Sequence, residues 1–120
     1  MLFGIMERQG RDAASCFAEG NRLLQAGDLA GAEACFAETA RRLPDSAAAL
    51  GNLGLVLDRR GRHEEAERCF LQSIALDPAH PQLHLNHGAL LFRRKRFAAA
   101  ELAYRTAIGL APEAPAGWSN

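Results

Sequence analysis

The chain has 120 residues and a mass of 13.0 kDa, which suits one domain of ordinary size. Hydrophobic residues make up 48% and charged residues 23% of the sequence, a composition typical of a folded globular domain rather than a disordered one. Fourteen basic and fourteen acidic residues give a formal net charge of zero, which argues against a general nucleic-acid binder or a binder of anionic membranes.

Residues 1–12 are predicted to be an N-terminal extension, either a remnant helix covering the first repeat or a frayed terminus. Their short apolar stretch has no preceding basic residue and no long hydrophobic region after it, so it does not resemble an export signal. Cys16, Cys35 and Cys69 are odd in number and widely spaced, which is a poor disulfide framework. These features favour a cytoplasmic location.

Beyond residue 12 the sequence repeats with a period of 34 residues, and four residue types share this spacing. They are Pro44, Pro78 and Pro112; Gly20, Gly54 and Gly88; Ala32, Ala66 and Ala100; and the aromatic residues Phe36, Phe70 and Tyr104. The period predicts three repeats, at 13–46, 47–80 and 81–114, and the start of a truncated fourth repeat at 115–120.

Each repeat has the pattern of two amphipathic helices joined by a tight turn. In the second repeat Ser46 can cap a helix over 47–60, and Gly61 supplies a left-handed residue that ends it. A second helix is predicted over 63–76, before Pro78. Glycine and alanine on the facing stripes allow close approach, and the recurring aromatic residue fills the space between the helices.

The turns between paired helices differ in one repeat. Gly27 stands in the first turn where Gly61 stands in the second, whereas Lys95 stands in the third. The missing glycine predicts a looser or more polar corner in the third repeat.

With this period and these residues the chain resembles the tetratricopeptide repeat family over residues 13–114. Repeat positions are counted from Ala13, Ala47 and Pro81, and the tripeptide starting at Asn52 matches the family's commonest local phrase. The resemblance implies an all-α fold: a right-handed superhelix, or α-solenoid, of antiparallel helix pairs. It also implies that the first helix of each pair lines a concave face.

The resemblance further implies a protein–protein interaction module that binds an extended peptide segment of a partner in the concave groove. The family's groove positions give these candidate partner-binding residues: Phe17, Asn21, Leu24, Asn52, Leu55, Arg59, Leu85, Asn86, Phe92 and Arg93. The sequence contains no phosphate-binding glycine loop, nucleophile elbow or paired-cysteine motif, so we expect no enzymatic activity and no cofactor. We also expect no nucleic-acid or membrane partner.

Chaperone-binding members of the family hold a terminal carboxylate with a basic clamp. That clamp would need basic residues where Phe17, Gln82 and Asn86 stand, although Asn21 and Asn52 match its two asparagines. Amides alone cannot supply the positive charge, so the sequence disfavours a receptor for chaperone tails.

Asn52, Asn86 and Asn120 recur at one repeat position and predict a ladder of amides. Such a ladder looks like the one that lines the repeat region of the O-linked N-acetylglucosamine transferase, where amides can bind a peptide backbone without reading its sequence. The alternative is that these asparagines only bond the neighbouring helix.

Three other features have a structural and a functional interpretation. The run from Arg93 to Arg96 is either a solvated helix end or a contact for an acidic partner segment. His80, His84 and His87 could approach a metal ion. The preferred interpretation is that His84 and His87 are half-buried between helices with a hydrogen-bonded ring nitrogen and that His80 lies in the loop before the helix, so no metal is predicted. The glutamates at one repeat position, Glu33, Glu67 and Glu101, are expected to face solvent as a structural feature.

Two rival functions remain open at this point. The repeats could be the substrate-recruiting part of a larger enzyme, such as a glycosyltransferase. They could also form a scaffold that self-associates through the uncapped C-terminal end, because a repeat array usually ends in a polar capping helix.

Overall fold

A computed structural model describes residues 12–111, which form six α-helices and contain no β-strand. In chain order these are α1 (Ala13–Ala26), α2 (Leu29–Arg42), α3 (Ala47–Arg59), α4 (His63–Leu76), α5 (Pro81–Arg93) and α6 (Phe97–Leu110). Consecutive helices pair as α1/α2, α3/α4 and α5/α6, so the molecule is an all-α right-handed solenoid of three antiparallel helix pairs, as predicted.

The two helices of each pair approach closely at a glycine facing an aromatic ring. A Cβ atom placed on Gly54 would lie 2.8 Å from ring carbons of Phe70, well inside van der Waals contact. The same relationship joins Gly20 to Phe36 at 2.7 Å and Gly88 to Tyr104 at 3.0 Å. The 34-residue spacing of glycines and aromatics therefore records one packing contact made three times.

Local backbone chemistry begins and ends the helices as the sequence indicates. The hydroxyl of Ser46 accepts a hydrogen bond from the amide of Ala49 at 3.1 Å and caps α3. Gly27 and Gly61 adopt left-handed conformations, with φ of 86° and 84°, at the turns that follow α1 and α3.

The third turn is not looser than the other two, so that part of the prediction was wrong. Lys95 adopts the same left-handed conformation, with φ of 64°. Its amide donates to the carbonyl of Phe92 and the amide of Arg96 donates to that of Leu91, each at 2.9 Å. The amides of Gly61 and Arg62 make the equivalent bonds at 3.0 and 2.9 Å. The same pair of hydrogen bonds therefore holds Lys95 in the left-handed conformation that Gly61 adopts.

Adjacent pairs stack through α2 against α3 and α4 against α5. The first junction buries Val56 of α3 with Ala32 and Phe36 of α2. The second buries Leu90 of α5 with Leu57, Ala66 and Phe70 of the middle pair. Because each pair contacts only its neighbours, the molecule is elongated, with extents of 57 × 30 × 26 Å.

Two predictions fall outside the described residues: most of the N-terminal extension at 1–12, and the start of a fourth repeat at 115–120 with Asn120. Among the helices that are described, none combines the length and apolar character needed to cross a membrane.

Candidate functional site

Two asparagines of the predicted amide ladder lie in the described residues, Asn52 on α3 and Asn86 on α5, and Asn21 on α1 lies next to the first of them. Nδ2 of Asn52 donates to Oδ1 of Asn21 at 2.9 Å, which joins α3 to α1. Oδ1 of Asn86 instead accepts from Nε2 of Gln82, one turn earlier in α5, at 3.0 Å. The three asparagines are half-buried. Asn52 thus makes the interhelix bond that the alternative interpretation expected and Asn86 does not, while each amide retains unused hydrogen-bonding capacity.

Three of the predicted apolar contact residues belong partly to the core. The rings of Phe17 and Phe36 meet edge to face, with centroids 5.7 Å apart and planes at 61°. Leu24 packs on the same cluster around Phe36, and Leu55 packs on the cluster around Phe70. All three side chains remain half-exposed, so each has a part packed in the core and a part that a ligand can contact.

The other two apolar candidates, in the third repeat, are more open. Leu85 is 37% exposed and Phe92 is 56% exposed. The ring of Phe92 meets that of Phe97 edge to face, with centroids 5.2 Å apart. Phe92 therefore lies against the start of α6.

The two predicted basic residues have different environments. Arg93 forms an ion pair with Asp58, whose side chain is only 2% exposed and which also lies 2.7 Å from Nδ1 of His63. Arg59 is exposed and has no ion-pair partner within residues 12–111. Arg93 thus links the second and third repeats, whereas Arg59 is available to a ligand.

The basic run at the end of α5 is also divided. Nη1 of Arg96 donates to Glu67 at 3.1 Å, and Nε2 of His87 lies 3.1 Å from the same carboxylate. Burial opposes ionisation of Glu67, but the His87 hydrogen bond and the Arg96 charge outweigh it and lower its pKa. Arg94 and Lys95 have no ion-pair partner in the described part of the chain.

The histidines are not brought together. Nε2 of His84 donates to the carbonyl oxygen of Pro78 at 2.8 Å, while Nε2 of His87 bonds the second repeat. His80 is exposed at the residue before α5. Across residues 12–111 no group of three or more histidine, cysteine, aspartate or glutamate side chains could hold a metal ion.

The recurring glutamates have a role that the sequence reasoning missed. Glu33 accepts from Arg62 of the next repeat at 2.8 Å, and Glu67 accepts from Arg96 in the same way, each across 29 residues. Their side chains are 21% and 22% exposed, so the prediction that they face solvent was wrong for both. The signal was available as glutamate at repeat position 21 followed by arginine at position 16 of the next repeat.

Two open clefts of about 320 and 420 Å³ lie between the second helices α2 and α4. The smaller one is lined by Glu33, Leu57 and Cys69, and the larger one by Leu50 and Leu76. Neither cleft includes a predicted partner-binding residue. The predicted partner-binding residues thus lie on the first helices, away from both of these clefts.

The sequence profile of a family described as Tetratricopeptide repeat matches residues 17–67 and 57–115. A search of curated proteins finds no match.

Solved structures match over most of the chain. One is the first TPR domain of Spaghetti (RPAP3) bound to the HSP90 peptide SRMEEVD, with TM-score 0.80, 20% identity, and coverage of 83% of this chain and 79% of that one. Another is the complex of the TPR2B domain of yeast Sti1 with pHsp70, with TM-score 0.82, 21% identity, and coverage of 89% and 86%. A third is MamA, with TM-score 0.79, 17% identity, and coverage of 86% and 60%.

Proposed function

Because the chain belongs to the tetratricopeptide repeat family, we propose that it is a non-enzymatic interaction module that binds an extended peptide segment of a partner protein. The peptide lies along the first helices α1, α3 and α5. The observation that carries this proposal is the row of half-buried amides formed by Asn21, Asn52 and Asn86.

The amides suit an extended backbone. Each asparagine has two N–H donors and one carbonyl acceptor, and the two bonds described above use only part of that capacity. Each peptide hydrogen bond contributes on the order of 1 kcal/mol, so apolar contact is needed as well. Leu55 on α3 and Leu85 on α5 supply this apolar contact.

Two solved TPR domains of similar fold are complexes with an HSP90 peptide and with pHsp70, which supports a peptide ligand in general. This chain has Phe17, Gln82 and Asn86 where a carboxylate clamp needs positive charge. We therefore infer that the ligand is an internal segment rather than a free C-terminus, with an acidic residue that can reach Arg59.

A phage-displayed library of random dodecapeptides, followed by binding measurements on the selected peptides, tests this proposal. Asn86→Ala should weaken binding about five- to ten-fold, since it removes an amide that bonds the peptide. The melting temperature should stay nearly unchanged, because the Asn86 side chain makes no bond between helices. Asn52→Ala should weaken binding similarly but also destabilise the fold, because it breaks the bond to Asn21.

The peptide SRMEEVD provides the contrasting probe. It should bind weakly, and amidation of its C-terminus should change its affinity by less than two-fold, because no clamp holds the carboxylate. Tight binding that is lost on amidation would contradict the inferred ligand. Binding of selected peptides that is indifferent to Asn86→Ala and Leu85→Ala would contradict the site.

A further inference from the structure

The turns that follow α3 and α5 carry cations that the contacts between repeats do not use. Arg59, Arg94 and Lys95 are exposed, and none of them has an ion-pair partner among residues 12–111. The other four arginines at 59–62 and 93–96 each bind a carboxylate: Arg60, Arg62, Arg93 and Arg96. Three positive charges at the ends of two first helices are therefore available to a ligand.

Arg94 is available because a histidine binds the carboxylate that its counterpart uses. Its counterpart in the second repeat, Arg60, donates to Glu33 at 2.7 Å. The glutamate at the same repeat position before the third repeat is Glu67. Glu67 is instead contacted by Nε2 of His87 at 3.1 Å and by the arginine two residues after Arg94. His87 thus replaces Arg94 at this junction.

Arg59 is available for a different reason. Its counterpart in the third repeat, Arg93, forms an ion pair with the buried carboxylate of Asp58. The residue at the position of Asp58 in the first repeat is Leu24, which carries no charge. The side chain of Arg59 therefore has no carboxylate at the position where Arg93 finds one.

The same ion pair shows that the available cations are neighbours. Because Arg93 binds Asp58, the last turns of α3 and α5 lie side by side. Arg59 follows Asp58 directly, while Arg94 and Lys95 follow Arg93. Packed helices lie about 8–10 Å apart, so Arg59 is separated from the Arg94 backbone by roughly that distance.

We propose, on the basis of the peptide-binding function inferred above, that the ligand carries two acidic residues three positions apart. One binds Arg59 and the other binds Arg94 and Lys95. In the polyproline II conformation, residues three positions apart share a face and lie about 9 Å apart. That separation matches the distance between the two helix ends.

The charge of the first turn fixes where this acidic segment lies. Asp28 stands in the first turn where arginines stand in the other two, and it is exposed. Its carboxylate accepts from the amide of Gly31 at 3.0 Å and would repel an acidic ligand. The acidic pair therefore lies across the second and third turns, and the part of the peptide over α1 is uncharged or basic.

Selection from a phage-displayed library of random dodecapeptides tests the spacing. Peptides selected on the protein should be enriched in two acidic residues three positions apart, relative to all other spacings. The same selection on a double variant, Arg94→Gln with Lys95→Gln, should retain the acidic residue that binds Arg59 and lose the second one.

Binding measurements on one selected peptide with an amidated C-terminus test the contact itself. The double variant should bind it about three- to ten-fold more weakly. Replacing the second acidic residue of the peptide by glutamine should weaken binding to the unaltered protein by a similar factor, and should abolish the effect of the double variant. Arg68→Gln with Arg105→Gln removes the same charge from the second helices α4 and α6, and this control should change affinity less than two-fold.

The outcomes separate this inference from the function on which it rests. Selected peptides that lack a second acidic residue, or an effect of the double variant that persists with the glutamine peptide, would overturn the acidic pair and leave the peptide-binding module intact. A library that gives no binding peptide would contradict both. Tighter binding of a twelve-nucleotide single-stranded DNA than of any selected peptide, lost in the double variant, would contradict an acidic peptide as the ligand of these cations.

Discussion

Arg93, at the end of α5, forms an ion pair with Asp58, a buried carboxylate at the end of α3. Asp58 is also in contact with Nδ1 of His63 at 2.7 Å. A buried carboxylate without its partners is costly, because it loses water without gaining compensating charge. Arg93 therefore stabilises the junction between the second and third repeats, a role that the groove positions of the family do not suggest.

Arg93→Gln should lower the free energy of unfolding by about 1–2 kcal/mol, less than for a fully buried pair because Arg93 itself is half-exposed. Arg59→Gln removes the arginine at the same position of the preceding repeat and should change stability by less than about 0.5 kcal/mol. Urea unfolding measures both. Equal losses would show that the Asp58 pair is not the reason.

Lys95→Gly should stabilise the protein by about 0.5–1 kcal/mol, because Lys95 is held at a positive φ that glycine adopts without strain. Gly27 and Gly61 already occupy the equivalent positions. Arg94→Gly is the control, since Arg94 has φ of −87° and gains nothing from glycine. The midpoint of thermal unfolding distinguishes the two, and a lower midpoint for Lys95→Gly would refute the strain.

Gly54→Ala should destabilise the protein by about 1–3 kcal/mol, because the added methyl group would lie 2.8 Å from the ring of Phe70 and 3.1 Å from the carbonyl oxygen of Ala66. Gly109→Ala makes the same chemical change in α6, where nothing lies within 4 Å of the new Cβ atom. It should stabilise by up to about 0.5–1 kcal/mol through helix propensity. Opposite signs in calorimetry are the expected result; a shared sign would contradict the packing argument.

Stability should fall with acidification between about pH 5 and pH 2. Hydrogen bonds from Arg41 and Arg42 lower the pKa of Glu38 to about 2, and the pKa of Glu67 is also lowered. A carboxylate with a lower pKa in the folded state contributes stability above its unfolded pKa and loses it as the pH falls through the folded pKa. Glu38→Gln should flatten the dependence of the unfolding midpoint on pH, and an unchanged slope would refute the assignment.

The fold could be predicted from the sequence because its main contacts are local and repeated. Gly54 and Phe70 lie 16 residues apart in one hairpin, and their counterparts in the other two repeats make the same contact. The prediction of a looser turn at Lys95 was wrong because hydrogen bonds to the carbonyl oxygens of Phe92 and Leu91, rather than the conformational preference of lysine, determine the backbone there.

The site was less accessible to prediction. The family's positions give residues on the first helices but not which of them neighbouring repeats already occupy. Arg93 is engaged by Asp58, and Asn52 by Asn21, through contacts between repeats that no pattern within one repeat contains. The pairing of Glu33 with Arg62 could have been found by comparing offsets between repeats.

The contact between Arg93 and Asp58 also favours one order of the second and third hairpins over the reverse. If the second and third hairpins were shuffled, Arg93 would face Leu24, the residue at the position of Asp58 in the first repeat, and would have no carboxylate to neutralise. The glutamate–arginine pairs would survive such a rearrangement because Arg62 and Arg96 occupy the same position. The glutamate–arginine contacts thus permit either order of the second and third hairpins, whereas the contact between Arg93 and Asp58 forms only in the order found in the chain.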